Sequence, residues 1–409
     1  MKYIKRHLED AVMNLSQSYS AILITGPRQA GKTTMLQALS EKENKGREYV
    51  TLDDLNERAM AKNDPGMFFQ IHKPPVLIDE VQYAPELFTY IKIHIDKYHN
   101  TGDFWMTGSQ IFKMMHGVQE SLAGRVALLH MSPLSQREIN GLENIPFTTD
   151  FETLNSQNSK TKSITTPELF ERIWAGSMPG IVSGQFPDRS TYYSSYISTY
   201  VERDVRDLSD SIDALKFMNF ITAAAATSGQ LLNYKTIADN ADIDQVTAKN
   251  WINILETLGI AFLLHPYSNN VLKRTIKTPK LYFYDMGLVC YLTKWSSAEI
   301  AMNGAMSGAL LENYTVSEII KTYQNAAKEP FVHYYRDRDT KEIDLIIEGD
   351  GKLCPIEIKK TTTPDKRLTR VFNVIDKSPL RLGTRAVLCM AEKLSAFDKD
   401  NLIVPVWMV

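Results

Sequence analysis

Short apolar runs alternate with longer amphipathic stretches over the first third of the chain. Residues 21–25, 48–52, 76–79, 104–107 and 126–131 are dense in apolar and β-branched residues and short enough to be strands. The stretch 33–39, after the first run, has the spacing of a helix. Such alternation predicts a largely parallel sheet covered by helices, with ligands held at the strand C-termini. The pattern changes near residue 147. Residues 148–166 are rich in Ser, Thr, Asn and Lys and predict an exposed loop or linker. Residues 167–211 are helical in pattern, broken at Gly176-Ser177-Met178-Pro179-Gly180.

From 212 to 290 the pattern predicts three helices, 215–227, 234–240 and 245–258, and then two strands, 260–264 and 280–284. Three helices followed by a hairpin is a winged helix-turn-helix pattern. Between 300 and 409, a helix at 310–321 precedes a strand at 342–348, a tight turn Gly349-Asp350-Gly351-Lys352 and a return strand at 353–359. No internal repeat of solenoid period is visible.

A chain of 409 residues is too long for one ordinary core. Hydrophobic content of 44% and charged content of 23% suit a globular protein. The net charge of −2 excludes a globally basic nucleic-acid coat protein, though not a local basic face. Cys290, Cys354 and Cys389 are far apart and lack metal-ligand spacing, which suits a reducing compartment. The start of the chain reaches no apolar core of a signal peptide, and no uninterrupted apolar stretch approaches membrane-spanning length. The expectation is a cytoplasmic protein with no membrane partner.

The first predicted strand runs into Gly26-Pro27-Arg28-Gln29-Ala30-Gly31-Lys32-Thr33-Thr34, which fits G-x-x-x-x-G-K-[ST]. Glycines in such a loop let backbone N–H groups close around phosphate oxygens, and the following helix N-terminus adds positive potential. Lys32 would reach the β- and γ-phosphates of ATP, and the Thr33 hydroxyl would ligate Mg²⁺. The third strand ends in Asp79-Glu80. Asp79 would hold Mg²⁺ through water, and Glu80 would polarise the attacking water. The fourth strand ends in Thr107-Gly108-Ser109-Gln110, where Ser109 would contact the γ-phosphate or the lytic water.

Two further clusters carry chemistry. The segment joining the last two strands of the winged-helix pattern holds Lys273, Arg274 and Lys277. Phosphate contact on DNA and a protein–protein role both stay open for it. In the C-terminal hairpin, strand period puts Glu357 and Lys359 on one face, with Asp344 on the paired strand. Asp344 and Glu357 would hold Mg²⁺ while Lys359 orients water, as in a metal-dependent phosphodiesterase, with Glu312 as a fourth member. The other reading is an amphipathic hairpin with a surface salt bridge.

The chain resembles AAA-family ATPases of bacteria and archaea that carry a C-terminal DUF4143 region. The resemblance rests on the phosphate loop, Leu52-Asp53-Asp54, Leu77-Ile78-Asp79-Glu80-Val81-Gln82, Thr107-Gly108-Ser109-Gln110 and Leu122-Ala123-Gly124-Arg125-Val126. It continues through Gly176-Ser177-Met178-Pro179, Glu202-Arg203-Asp204-Val205 and Tyr282-Phe283-Tyr284-Asp285-Met286-Gly287. It implies an α/β architecture: a P-loop NTPase core over 1–147, a polar linker over 148–166, a helical lid over 167–211 and a winged helix over 212–290. Residues 300–409 would form a restriction-endonuclease-like α/β domain of the PD-(D/E)xK kind. Arg125, or failing it Arg203, would act as a sensor or finger on the transferring phosphoryl group. Asp53 and Asp54 would close the nucleotide site or cap the next helix. The expected activity is ATP hydrolysis that repositions the C-terminal modules on DNA. A nucleotide-dependent switch without nucleic acid, or an ATP-regulated nuclease, is the alternative, and homo-oligomer formation is left open.

Overall fold

The structure, a computed structural model, describes residues 3–108, 122–201, 213–268, 278–337, 339–376 and 378–409. Five parallel strands form the first sheet: β1 (Ala21–Thr25), β2 (Glu48–Thr51), β3 (Val76–Asp79), β4 (Phe104–Thr107) and β5 (Val126–His130). Their spatial order is β2-β3-β4-β1-β5. All residues of β1, β3 and β4 are buried, as expected of central parallel strands covered on both faces. The period of two divides β1 between two cores. Ala21 and Leu23 pack with Phe88 and Ile91 of the helix Leu87–Tyr98, while Ile22 and Ile24 pack with Leu8, Met35 and Leu36 on the other face.

The largest core of the remaining chain runs from Phe147 to Val409, beside two smaller clusters around Phe372 and Val387. Its middle part contains the helices Thr166–Ala175, Arg189–Tyr196, Ala214–Ala226, Tyr234–Ala241 and Gln245–Thr257. These lead to a two-stranded antiparallel sheet of β6 (Ala261–Leu264) and β7 (Lys280–Phe283). The C-terminal part is a mixed sheet of seven strands: β8 (Val332–Arg336), β9 (Glu342–Gly349), β10 (Lys352–Lys359), β11 (Arg381–Leu382), β12 (Arg385–Cys389), β13 (Ser395–Asp398) and β14 (Asn401–Pro405). Its order is β13-β14-β12-β10-β9-β8, with β11 also on β10. Strands β8, β9 and β10 pair antiparallel, whereas β10, β12 and β14 run parallel.

The helix Ser307–Gln324 ties these parts together. At 18 residues it is about 27 Å long. Polar as well as apolar residues are buried along it, including Asn313, Glu318 and Lys321, so it is enclosed on all sides. Ser132 Oγ donates to Gln324 Oε1 at 2.6 Å, and Gln136 N donates to Glu318 Oε2 at 2.8 Å. Both partners lie just beyond β5, so the helix reaches the parallel-sheet unit directly.

One stretch expected to be a linker contains a helix. Residues Phe151–Asn158 are helical, Asp150 caps the first turn by accepting from Thr153 N at 2.8 Å, and Leu154 is buried. Most of this helix faces water, so its sequence carries almost no apolar period, and the cap with a single buried leucine is a weak signature. Asp54 likewise caps the helix Leu55–Asn63, accepting from Asn56 N at 2.7 Å.

Candidate functional site

The phosphate loop lies between β1 and the helix Lys32–Glu43. Gly26 has φ +136°, and a Cβ there would fall 2.2 Å from the Met131 carbonyl oxygen. No other residue fits that position without moving the backbone just beyond β5. Lys32 folds back over the loop, with Nζ donating to the carbonyls of Gly26 and Pro27, each at 2.9 Å.

The inserted β4 places a hydroxyl beside the acidic strand end. Asp79 Oδ1 accepts from Thr33 Oγ1 and from Thr107 Oγ1, each at 2.5 Å. Asp79 is buried, and its other oxygen faces the hydroxyls of Tyr49 at 3.3 Å and Thr51 at 3.4 Å. Glu80 follows at φ +56°, which turns its side chain out of the strand line. Its carboxylate accepts from Gln82 Nε2 and stands 3.8 Å from Arg28 Nη1 of the loop. Its backbone N–H donates to Thr107 Oγ1 at 3.1 Å. Thr33 and Asp79 fit a hydrated divalent cation: hydroxyl and carboxylate lie side by side at the end of a phosphate loop, with Lys32 close by.

Two features of this site escape sequence patterns. A cavity of about 360 Å³ opens beside the loop, lined by Tyr3, Ile4, Gln29, Thr34, Ser183 and Phe186 among others. It joins the start of the chain to the segment 179–186, which no local motif brings together. His130, at the end of β5, packs at a tilt against Tyr284 with ring centroids 5.5 Å apart. Burial first, and then the charge of Lys32, pushes its pKa down to about 4, so the imidazole is neutral at pH 7. Gly259 packs so closely that a Cβ would lie 2.8 Å from His130 Cε1 and 2.9 Å from Pro27 Cδ. The turn after the helix Gln245–Thr257 therefore rests against the phosphate loop.

Residues 18–140 match a family model described as an AAA domain. Residues 166–299 and 307–409 match models described as domains of unknown function, DUF8612 and DUF4143. The chain is 28% identical over 387 residues to the uncharacterized protein Rv2008c of Mycobacterium tuberculosis, covering 94% of this chain and 79% of that one. It is 23% identical over 319 residues to the uncharacterized protein MJ1637 of Methanocaldococcus jannaschii, covering 71% and 66%. Among solved structures, a Walker-type ATPase of Pyrococcus abyssi aligns at 14% identity with a TM-score of 0.44, over 71% of this chain and 96% of that one. AMPPCP-bound DnaA from Aquifex aeolicus aligns at 17% identity with a TM-score of 0.29, over 61% and 85%. The AAA match contains the phosphate loop, Asp79, Glu80 and Thr107.

The remaining predicted residues fall in three places. Arg125 lies away from the phosphate loop of its own chain. It precedes β5, so in a parallel sheet it lies at the end opposite the phosphate loop, where it binds Asp96 at 2.6 Å on an exposed surface. A strand of five residues separates it from the loop, so it does not serve the phosphates of its own chain. Ser109, Arg203, Lys273, Arg274 and Lys277 lie outside the described residues. Asp344, Glu357 and Lys359 do meet: Lys359 Nζ is 2.9 Å from Asp344 Oδ2 and 2.7 Å from Glu357 Oε2. Both carboxylates are buried, so the pair is not the surface salt bridge that the hairpin alone allows. Glu312 also faces this cluster, but its oxygen is bound by Lys280 Nζ at 2.8 Å and by the Tyr282 hydroxyl at 2.6 Å. Among the described residues, no three Asp, Glu, His or Cys side chains are arranged to hold a metal ion.

Burial, and then the neighbouring Asp344 carboxylate, pushes the Glu357 pKa from an ordinary 4.5 up to about 8. Between those values the folded chain keeps a proton that the unfolded chain has released. Wild-type stability therefore falls as pH rises from about 5 to 8 relative to Glu357→Gln, which lacks that proton. Chemical denaturation of both proteins across this range checks the sign; parallel curves would contradict it.

Proposed function

We propose that the protein is a Mg²⁺-dependent ATPase. The reading is carried by the convergence of the Thr33 and Thr107 hydroxyls on Asp79, beside a phosphate loop whose lysine is buried against it. Thr33 would ligate the ion and Asp79 would hold its water shell. When bound, the ion neutralises charge on the β- and γ-phosphates. The protein's own groups do the rest. Backbone N–H groups of the loop cradle phosphate oxygens, and Lys32 swings from the Gly26 and Pro27 carbonyls to the β/γ bridge. Glu80 orients water for in-line attack, with Arg28 and Gln82 setting the position of its carboxylate. The cavity beside the loop would take the base and ribose, with Tyr3 and Phe186 as apolar walls.

Phosphate release from ATP with and without Mg²⁺ tests the activity, and Lys32→Ala is expected to abolish tight ATP binding. A Lys32→Ala protein that binds and hydrolyses ATP like wild type would overturn the assignment. Ser183→Trp tests the cavity. Its side chain would fill the space and weaken ATP binding by about tenfold or more, on the scale of a blocked apolar contact. Unchanged ATP affinity would place the base elsewhere.

The same reading extends to the rest of the chain. The helices 214–257 with β6 and β7 would act as a winged helix, and the C-terminal sheet as a nuclease-like platform. Contact of Gly259 with Pro27 and His130 supports a response of that unit to nucleotide. DNA is the proposed partner, because Gln245, Lys249, Asn250 and Asn253 form an exposed polar face on the helix Gln245–Thr257. Filter binding to duplex DNA at low salt, with and without ATP, distinguishes this from a switch that uses no nucleic acid.

A further inference from the structure

Four carboxylates gather where the C-terminal sheet meets the two-stranded sheet: Glu312, Glu342, Asp344 and Glu357. Three of them sit on or beside the hairpin of β9 and β10, while Glu312 comes from the helix Ser307–Gln324. So dense an acidic cluster ordinarily calls for a divalent cation. Here the charge is met by lysines instead.

Lys280 makes the difference. It is the first residue of β7 and so belongs to the neighbouring two-stranded sheet. Its side chain passes into the cluster and is 2% exposed. Nζ lies 2.8 Å from Glu312 Oε1 and 2.5 Å from Glu342 Oε1. The aromatic face of Tyr334 lies 5.7 Å from the same nitrogen. Lys359 covers the other half, binding Asp344 and Glu357, and Asp344 Oδ2 also accepts from Ile358 N at 2.8 Å. Arg336 reaches the second oxygen of Glu342 at 3.0 Å.

A divalent cation in this space would need several of these oxygens at about 2.0–2.6 Å, with their lone pairs free. Ammonium groups hold those lone pairs, and their positive charge repels a second cation. Glu357 Oε1 is the one carboxylate oxygen of the four that is buried with no hydrogen-bond partner, and it cannot by itself hold an ion. We infer that Lys280 is the resident cation of this cluster, so that docking of β7 closes the site to divalent metal. The acidic cluster and the lysine come from different sheets. Metal entry and β7 docking therefore exclude each other, and the cluster works as a lysine lock between the two sheets.

The lock is tested by Mn²⁺ binding to the full chain without nucleotide, read from loss of the free-ion electron paramagnetic resonance signal. Any Mn²⁺ at the phosphate loop is common to all variants and cancels in the comparison. Lys280→Met is expected to tighten Mn²⁺ binding at the cluster by at least about tenfold, because it frees charged oxygen ligands. Adding Glu342→Gln, which removes an oxygen ligand that Lys280 had held, should remove the gain, and Lys280→Arg should behave as wild type. If Lys280→Met does not fold, Lys280→Met with Glu312→Gln removes one carboxylate together with the lysine and carries the same comparison. No gain in Mn²⁺ binding by a folded Lys280 variant overturns the inference. So does Asp344-dependent Mn²⁺ binding, or Mn²⁺-dependent DNA cleavage, by the wild-type protein.

Discussion

Glu80→Gln protein is expected to bind ATP as tightly as wild type and to release phosphate more slowly by a factor on the order of 10² or more. The substitution keeps the size of the side chain and its bond from Gln82. It removes the negative charge that would polarise the attacking water. The loop keeps its contacts at Lys32 and Thr33, which face Asp79 and the loop carbonyls; only Arg28, 3.8 Å from Glu80, loses a charged neighbour. The two effects thus separate: binding stays and turnover goes. The left-handed backbone at Glu80 and its N–H bond to Thr107 are present with either side chain, so the variant should fold as wild type. Equilibrium ATP binding and single-turnover phosphate release measure the two quantities independently. Turnover equal to wild type would remove Glu80 from the chemistry.

Lys321→Met is expected to destabilise the protein by about 3–5 kcal/mol, the scale for breaking a buried ion pair from one side. Lys321 is 1% exposed. Its Nζ donates to Glu318 Oε1 at 2.9 Å, to the Leu134 carbonyl at 3.1 Å and to Ser177 Oγ at 3.3 Å. Those three partners belong to the long helix, to the segment after β5 and to the break before Pro179. Methionine fills most of the volume, but among the described residues it leaves the Glu318 carboxylate held by the N–H of Gln136 without its lysine. The damage should therefore come from stranded charge rather than lost packing. Combining Lys321→Met with Glu318→Gln should recover part of the loss, and a double-mutant cycle in urea measures the coupling. A loss below about 1 kcal/mol for Lys321→Met would mean that water or rearrangement satisfies Glu318.

The parallel sheet and its nucleotide loop were legible in the sequence because their signals are local. A fully buried parallel strand must be apolar along its length, so β1, β3 and β4 stand out as runs. A phosphate loop must be glycine-bearing and continuous, so Gly26 to Thr34 is a contiguous word. The period of two placed Glu357 and Lys359 on one face, and the sheet added Asp344 to them as expected. The helix Phe151–Asn158 was hidden because a nearly solvated helix needs little apolar period.

What only the tertiary structure decided is the company these residues keep. Arg125 precedes an apolar strand in sequence, yet the parallel direction of β5 puts it at the far end from the loop. In sequence Lys280 only opens a predicted strand, and the packing of β7 against the C-terminal sheet makes it the counter-ion of Glu312 and Glu342. Burial, followed by the fields of Glu312, Asp344 and Glu342, sets its pKa; the carboxylates win and raise it above the ordinary lysine value. The physical reason is common to both cases. Local sequence fixes backbone preference and which side of an element is apolar, because those depend on neighbours within one or two turns. The fate of a charge depends on the dielectric and the partners around it, and here these come from segments up to about sixty residues away, such as Lys280 and Asp344.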